Sequence, residues 1–197
     1  VAALNQNVVK LETSKVVSVL EKQVLAKIHR MIFNQSEAFY LKHVQNPDTT
    51  LGAFIEDGTL ANITALWVAR NRLLSPVDNF KGVEAEGVQR ALQVHGLERC
   101  VVLVSALHHY SLKKAGGLLG IGNENVLPVD IDADNRIDML ALKEQIRKLS
   151  VQQKRTGIVA VVGIAGTTET GTVDPLRELA EVCEKYGLHF HVDAAWG

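Results

Sequence analysis

The sequence predicts an α/β domain with a mainly parallel sheet flanked by helices. Three observations carry this. Residues 100–105, 157–164 and 188–192 are short apolar runs, the pattern of strands covered on both faces. Helical stretches separate them, and that alternation favours parallel strands joined by crossover helices. Each run also ends in unusual polar groups: Ser105 to His109, Gly166 to Thr168, and Asp193. Ligands of open α/β sheets bind beyond the carboxyl ends of strands, so these ends point to one edge.

Element by element, residues 15–33 read as a helix. Val16, Leu20, Val24, Lys27, Ile28, Met31 and Ile32 make its mostly apolar face, and Ser14 is the expected N-cap. A helix over 36–44 follows and ends at Asn46-Pro47. Leu51 to Ile55 is short and apolar, and is expected to be extended. Glu56-Asp57-Gly58-Thr59 is a turn that opens a helix over 60–73. Its Ala61, Ala65, Leu66, Ala69 and Leu73 form a side of small residues suited to close packing. Residues 83–95 give another helix, and a helical stretch after Ser111 ends near Gly116-Gly117. Residues 126–129 are expected to be extended and 138–149 helical. Asp174-Pro175 is a good helix start, with Asp as N-cap and Pro at the first helical position. That helix reaches Tyr186 and is stopped by Gly187.

Composition narrows the function classes. The chain has 197 residues, enough for one domain with a sizeable core. Its net charge of -1, with no basic stripe, gives no support for nucleic-acid binding. No apolar run approaches membrane-spanning length, so no bilayer crossing is expected. The first residues lack the basic start and apolar core of a signal peptide, and they lack an initiator Met, which reads as a fragment cut at both ends. Cys100 and Cys183 lie far apart without metal-like spacing and read as core thiols in a reducing, cytoplasmic setting.

Four places carry chemistry. Gly58-Thr59 precedes a helix whose free N–H groups, with the Thr59 hydroxyl, suit a phosphate. The plain alternative is a Thr N-cap after a glycine turn, and Asp57 would have to turn its carboxylate away from an anion. His109 follows a strand and could stack on a flat ring or move a proton, or be a hydrogen-bonded strand-end histidine; His108 competes for the same role. Gly166-Thr167-Thr168 permits close approach to a ligand, or forms a self-bonded turn. Asp193 ends a strand expected to be largely buried, so it needs a cationic or hydrogen-bonded partner. A protonated heteroaromatic nitrogen would serve, and so would a salt bridge or a metal; no second acidic group nearby in sequence supports a metal.

These places form part of a wider set: Asn5-Gln6-Asn7, Asp57-Gly58-Thr59-Leu60-Ala61-Asn62 with Ala65-Leu66 and Ala69-Arg70, His109-Tyr110-Ser111, Gly166-Thr167-Thr168 with Gly171 and Asp174-Pro175, and His191-Val192-Asp193-Ala194-Ala195-Trp196-Gly197. In order and spacing the set resembles the pyridoxal-phosphate-dependent amino-acid decarboxylases of the glutamate, aspartate and aromatic amino-acid group (group II). The resemblance implies part of the large domain of the aspartate-aminotransferase-like, fold type I enzymes. It divides the chain into an N-terminal helical segment over 1–50 and a partial cofactor-binding domain over 51–197. It implies pyridoxal 5′-phosphate as cofactor. Gly58 and Thr59 resemble the residues that hold its phosphate. His109 is similar to the imidazole stacked on the pyridine ring, with a part in proton transfer. Thr168 is similar to the hydroxyl near the ring oxygen and substrate carboxylate. Asp193 resembles the partner of the pyridine nitrogen, and Ala195 the small residue on the opposite ring face. The family usually has Ser-Gly-Gly where this chain has Glu56-Asp57-Gly58, a departure at the phosphate end.

The implied reaction is decarboxylation of an L-amino acid to an amine and CO2, with an acidic substrate, glutamate or aspartate, first. Aromatic or diaminobutyrate decarboxylation, another reaction on the same fold, and a non-catalytic homologue are the alternatives. The family acts as a homodimer. Its Schiff-base lysine stands in a Ser-x-x-x-His-Lys context, which Lys113, Lys114 and Lys185 lack. The resemblance therefore places that lysine beyond Gly197 and predicts that residues 1–197 alone are inactive.

Overall fold

The computed structural model describes Ser14, residues 16–152 and residues 155–197. The chain forms two compact units, Val1–Ile55 and Glu56–Gly197. Asn5-Gln6-Asn7 lies outside the described residues.

In the first unit, α1 (Val16–Phe33) is followed by α2 (Glu37–His43). Ser36 caps α2, its hydroxyl accepting from the Phe39 N–H at 3.2 Å. The two helices meet through Tyr40, which is buried and bonds His29 Nδ1 at 3.0 Å, and through Arg30, which pairs with Glu37. One expectation fails here, and another is met only by a run outside any sheet. Ser14 is itself helical and its hydroxyl meets that of Ser18, so it is not the cap. Leu51 to Ile55 has no regular structure and pairs with no strand among the described residues, and an extended run without a neighbour builds no ladder. The apolar face of α1, including Leu20, Val24, Met31 and Ile32, is exposed.

The second unit holds α3 (Gly58–Leu73), α4 (Val83–Val94), β1 (Arg99–Ser105), α5 (Ser111–Leu118), β2 (Val126–Val129), α6 (Met139–Arg147), β3 (Thr156–Ile164), α7 (Leu176–Tyr186) and β4 (Phe190–Asp193). The four strands pair in parallel, in the order β2-β1-β3-β4. The apolar runs are continuous because helices cover both faces. Val102 and Val104 of β1 and Ala160 and Val162 of β3 pack with Leu66 and Ala69 of α3 and Leu112 and Ala115 of α5. Val101, Leu103 and Val161 pack on the other face with Leu142 and Ile146 of α6 and Leu179 and Val182 of α7. Alternate residues of one strand thus belong to opposite cores. Both cysteines are buried free thiols, and burial pushes each up to about 11.

Local chemistry moves several boundaries. α3 starts at Gly58 because Asp57 is its N-cap, with Oδ1 accepting from the Leu60 N–H at 2.8 Å. α4 contains a kink at Gly87, whose φ of 80° is outside the helical region. α6 closes at Arg147 and passes into a π-helical turn, Lys148–Gln152. Asp174 does not cap α7. Its buried carboxylate accepts instead from the N–H groups of Ile137 and Ile164, each at 2.8 Å, joining the segment before α6 to the end of β3. Pro175 takes the cap position, and Gly187 ends α7 in the left-handed region as expected. β4 is half-buried along its length, because it is the outer strand of the four.

Gly163 sits where α7 crosses the sheet. A Cβ there would lie 2.8 Å from Leu179 Cδ1 and 3.0 Å from Leu176 Cδ2. Gly163→Ala is expected to overpack this contact and cost about 1–3 kcal/mol. The urea unfolding midpoint of the full-length protein checks it; an unchanged midpoint refutes the close packing.

Candidate functional site

The carboxyl ends of β1, β3 and β4 and the first turn of α3 enclose a cavity of about 270 Å³. The helix contributes Gly58, Thr59 and Asn62; the segment after β1 gives Leu107 and His109. The end of β3 and its loop give Ile164, Gly166, Thr167 and Thr168, and β4 and its extension give Asp193, Ala195 and Trp196. All six residues singled out for roles in the sequence (Gly58, Thr59, His109, Thr168, Asp193 and Ala195) therefore line one space. No lysine lines it among the described residues.

At the helix end, the Gly58 and Thr59 N–H groups precede the first intrahelical donor and have no acceptor within the helix. Asp57 spends its carboxylate on the Leu60 N–H and does not line the cavity. Gly58 sits in a tight space: a Cβ there would stand 3.0 Å from that of Ala195. Helix α3 and the Ala194-Ala195 turn are thus in close contact.

The two histidines after β1 separate. His108 Nδ1 lies 2.8 Å from the carbonyl of Ser105, which can only accept, so this nitrogen carries the proton. Burial holds His108 below the usual histidine range. His109 lines the cavity instead, its Nδ1 2.9 Å from Ser111 Oγ and its ring 4.2 Å from that of Tyr110. The threonines divide similarly. The Thr167 hydroxyl is tied into its own loop, to Thr170 Oγ1 at 2.6 Å and the Thr172 N–H at 3.1 Å. Thr168 is exposed at the cavity wall. Gly166, at φ 91°, lets the Trp196 backbone approach to 3.2 Å from where a Cβ would stand.

Asp193 is held by two donors. Asn62 Nδ2 reaches Oδ2 at 2.9 Å, and the Ala195 N–H reaches Oδ1 at 3.2 Å. No cationic side chain pairs with it among the described residues, and no cluster that could hold a metal occurs among them. Asn62 is buried and also contacts Ser111 Oγ at 3.0 Å and His191 Nε2 at 2.7 Å. Burial depresses His191 to about 4, so its imidazole is neutral. Asn62, Ser111 and His191 were given no role in the sequence reading. Signals exist for two of the three: Asn62 is a poor helix former on the packed side of α3. His191 stands two residues before Asp193, on the same face of the strand.

The fold and this cavity define an open parallel α/β domain with a ligand site at its strand ends. The family described as the pyridoxal-dependent decarboxylase conserved domain matches residues 1–197. The chain belongs to this family. It is 51% identical over 195 residues to an aspartate 1-decarboxylase of Aliivibrio fischeri, covering 99% of this chain and 35% of that protein. It is 33% identical over 198 residues to a mouse acidic amino acid decarboxylase, GADL1, covering 99% of this chain and 30% of that one. The crystal structure of mouse CSAD matches all of this chain and 36% of its own, with a TM-score of 0.78 at 28% identity. The chain spans about a third of the length of these relatives.

Proposed function

We propose that the protein carrying this chain removes the α-carboxylate of an acidic L-amino acid, with L-aspartate ahead of L-glutamate, using pyridoxal 5′-phosphate. The observation that carries this is Asp193, a carboxylate facing the same cavity as the first turn of α3. The donor set fits the cofactor. Its dianionic phosphate suits the free N–H groups and positive end of the helix at Gly58 and Thr59. Its pyridine nitrogen would pair with Asp193, and its ring would pack against His109 and the small Ala195, which line the same cavity. The identity to an aspartate decarboxylase supports the substrate.

When bound, the cofactor supplies an electron sink for the pair left behind as CO2 departs. This chain's residues tune and orient it. Asp193 would hold the ring nitrogen and favour its protonated form, because an adjacent carboxylate favours the cation. The Asn62 and Ala195 N–H groups hold that carboxylate in place. His109 would pack against one ring face and would offer a nitrogen for moving a proton. The Thr168 hydroxyl lines the same cavity and would offer a donor to a ring oxygen or a substrate carboxylate. In this proposal the lysine that tethers the cofactor comes from outside residues 1–197, with 1–50 read as an N-terminal segment and 51–197 as part of the cofactor-binding domain. The family resemblance implies a homodimer for the full-length protein, and the two buried free thiols suit a reducing, cytoplasmic compartment.

The test is product analysis of the full-length protein against a panel of L-amino acids. CO2 and the corresponding amine are expected from aspartate, with less from glutamate. If both are left untouched while an aromatic amino acid or diaminobutyrate is consumed, the substrate choice is wrong.

A further inference from the structure

We propose that Asn62 is a positioning residue that sets the proton locations of the cavity, so that His109 carries its proton on Nε2 while His191 carries its own on Nε2 as a donor to Asn62. The argument starts at Asp193. An ionised carboxylate only accepts, so the atom of Asn62 that meets Asp193 Oδ2 at 2.9 Å is its NH2 group. This fixes the amide orientation. Asn62 Oδ1 then faces His191 Nε2 at 2.7 Å, and that nitrogen must bear hydrogen.

The second amide hydrogen of Asn62 goes to Ser111 Oγ at 3.0 Å. Ser111 is fully buried, so its own hydroxyl hydrogen needs an acceptor. His109 Nδ1 stands 2.9 Å from that oxygen. The Ser111 backbone N–H also points at the same nitrogen, at 3.4 Å. A hydrogen on Nδ1 would oppose that N–H and strand the serine hydroxyl. His109 Nδ1 is therefore the acceptor, and the neutral ring keeps its hydrogen on Nε2. The neighbouring His108 has the reverse arrangement, with hydrogen on Nδ1 toward the Ser105 carbonyl.

One buried amide thus links the carboxylate at the end of β4 to the imidazole after β1. It orients Asp193 and makes the remaining nitrogen of His109 a hydrogen-bond donor. The hydrogen-bond chain stands on this protein's own groups. Only the statement that the donor serves a bound cofactor or substrate rests on the proposed function.

Neutron crystallography of the full-length protein without cofactor tests the chain directly and needs no variant. Deuterium is expected on His109 Nε2 and absent from His109 Nδ1, with the Ser111 hydroxyl aimed at that Nδ1 and deuterium on His191 Nε2. Deuterium on His109 Nδ1, alone or with Nε2, overturns the proposal, as does its absence from His191 Nε2. The Asn62→Leu protein adds a solution readout. Ser111 loses its donor and can accept from His109, so the ¹⁵N resonance of His109 Nδ1 moves toward its protonated position. An Nδ1 resonance that stays put in a folded variant also overturns it. Direct titration with pyridoxal 5′-phosphate separates the two readings. Asn62→Leu is expected to raise Kd roughly tenfold or more, the effect of losing a hydrogen bond to a charged group. A wild-type protein that does not bind pyridoxal 5′-phosphate refutes the cofactor assignment and leaves the neutron result to judge the proton positions.

Discussion

Asp193→Asn is expected to lower kcat of the proposed decarboxylation by the full-length protein by roughly 10²–10³-fold. A carboxylate beside a basic nitrogen commonly raises its pKa by about 1–3 units, and each unit is a tenfold change in the protonated fraction. Removing the charge returns the ring nitrogen toward its unassisted state and weakens the electron sink. The substitution also disturbs the local bonds. Asp193 accepts from Asn62 on one oxygen and from the Ala195 N–H on the other. An amide at 193 has one oxygen, so one of those donors meets an NH2 group. The cofactor Kd is expected to rise as well, since the pairing with Asp193 is lost. The loss should fall mainly on kcat and less on KM, because the electron sink acts in the chemical step. Steady-state kinetics at saturating cofactor checks this. A variant retaining more than a tenth of wild-type kcat would remove Asp193 from the role assigned to it.

Much of this site is legible in the sequence because its residues follow strand ends. A continuous apolar run announces a covered strand, and the next few residues then fall at one edge. His109, Gly166 to Thr168, and Asp193 all come from this logic, and the parallel order of β1, β3 and β4 puts them around one cavity. The helix carrying Gly58 is legible too, but its start is not. Asp57 reads as an awkward carboxylate beside a phosphate site; in the structure it is the N-cap, engaged with Leu60. Capping and burial compete for the same side chains, and sequence position alone does not say which wins. Asp174 shows the opposite outcome. Its place before Pro175 suggests a cap, yet its carboxylate is drawn into the core by two N–H groups from other segments. Such long-range claims have no local signature. The same holds for Asn62, whose partners Ser111, His191 and Asp193 are 49, 129 and 131 residues away.

Acidification from pH 7.5 to 5 is expected to cost this domain about 2 kcal/mol through His191 alone. Burial holds its folded value at about 4, while the unfolded chain has the ordinary value of 6.5. Between those two values the unfolded state binds more protons, so stability rises with pH through the window. The contribution is full above 6.5 and is lost progressively as the pH falls toward 4. The charged form is disfavoured first by burial; the nearby Asp193 opposes the shift and His189 adds to it. Half-buried His108 and His189 are shifted the same way, chiefly by burial, and steepen the loss. Asp174 has the opposite sign, since burial raises it above its usual value and its folded state favours the proton. Its window runs upward from 3.8 toward that of the histidines, so it offsets part of the loss. His191→Gln isolates the effect. Glutamine keeps a donor for Asn62 Oδ1 but does not titrate, so the variant starts less stable at pH 7.5 and loses less on acidification. Urea unfolding midpoints of the full-length protein at both pH values measure the difference, and equal losses in wild type and variant would show that His191 is not the group being protonated.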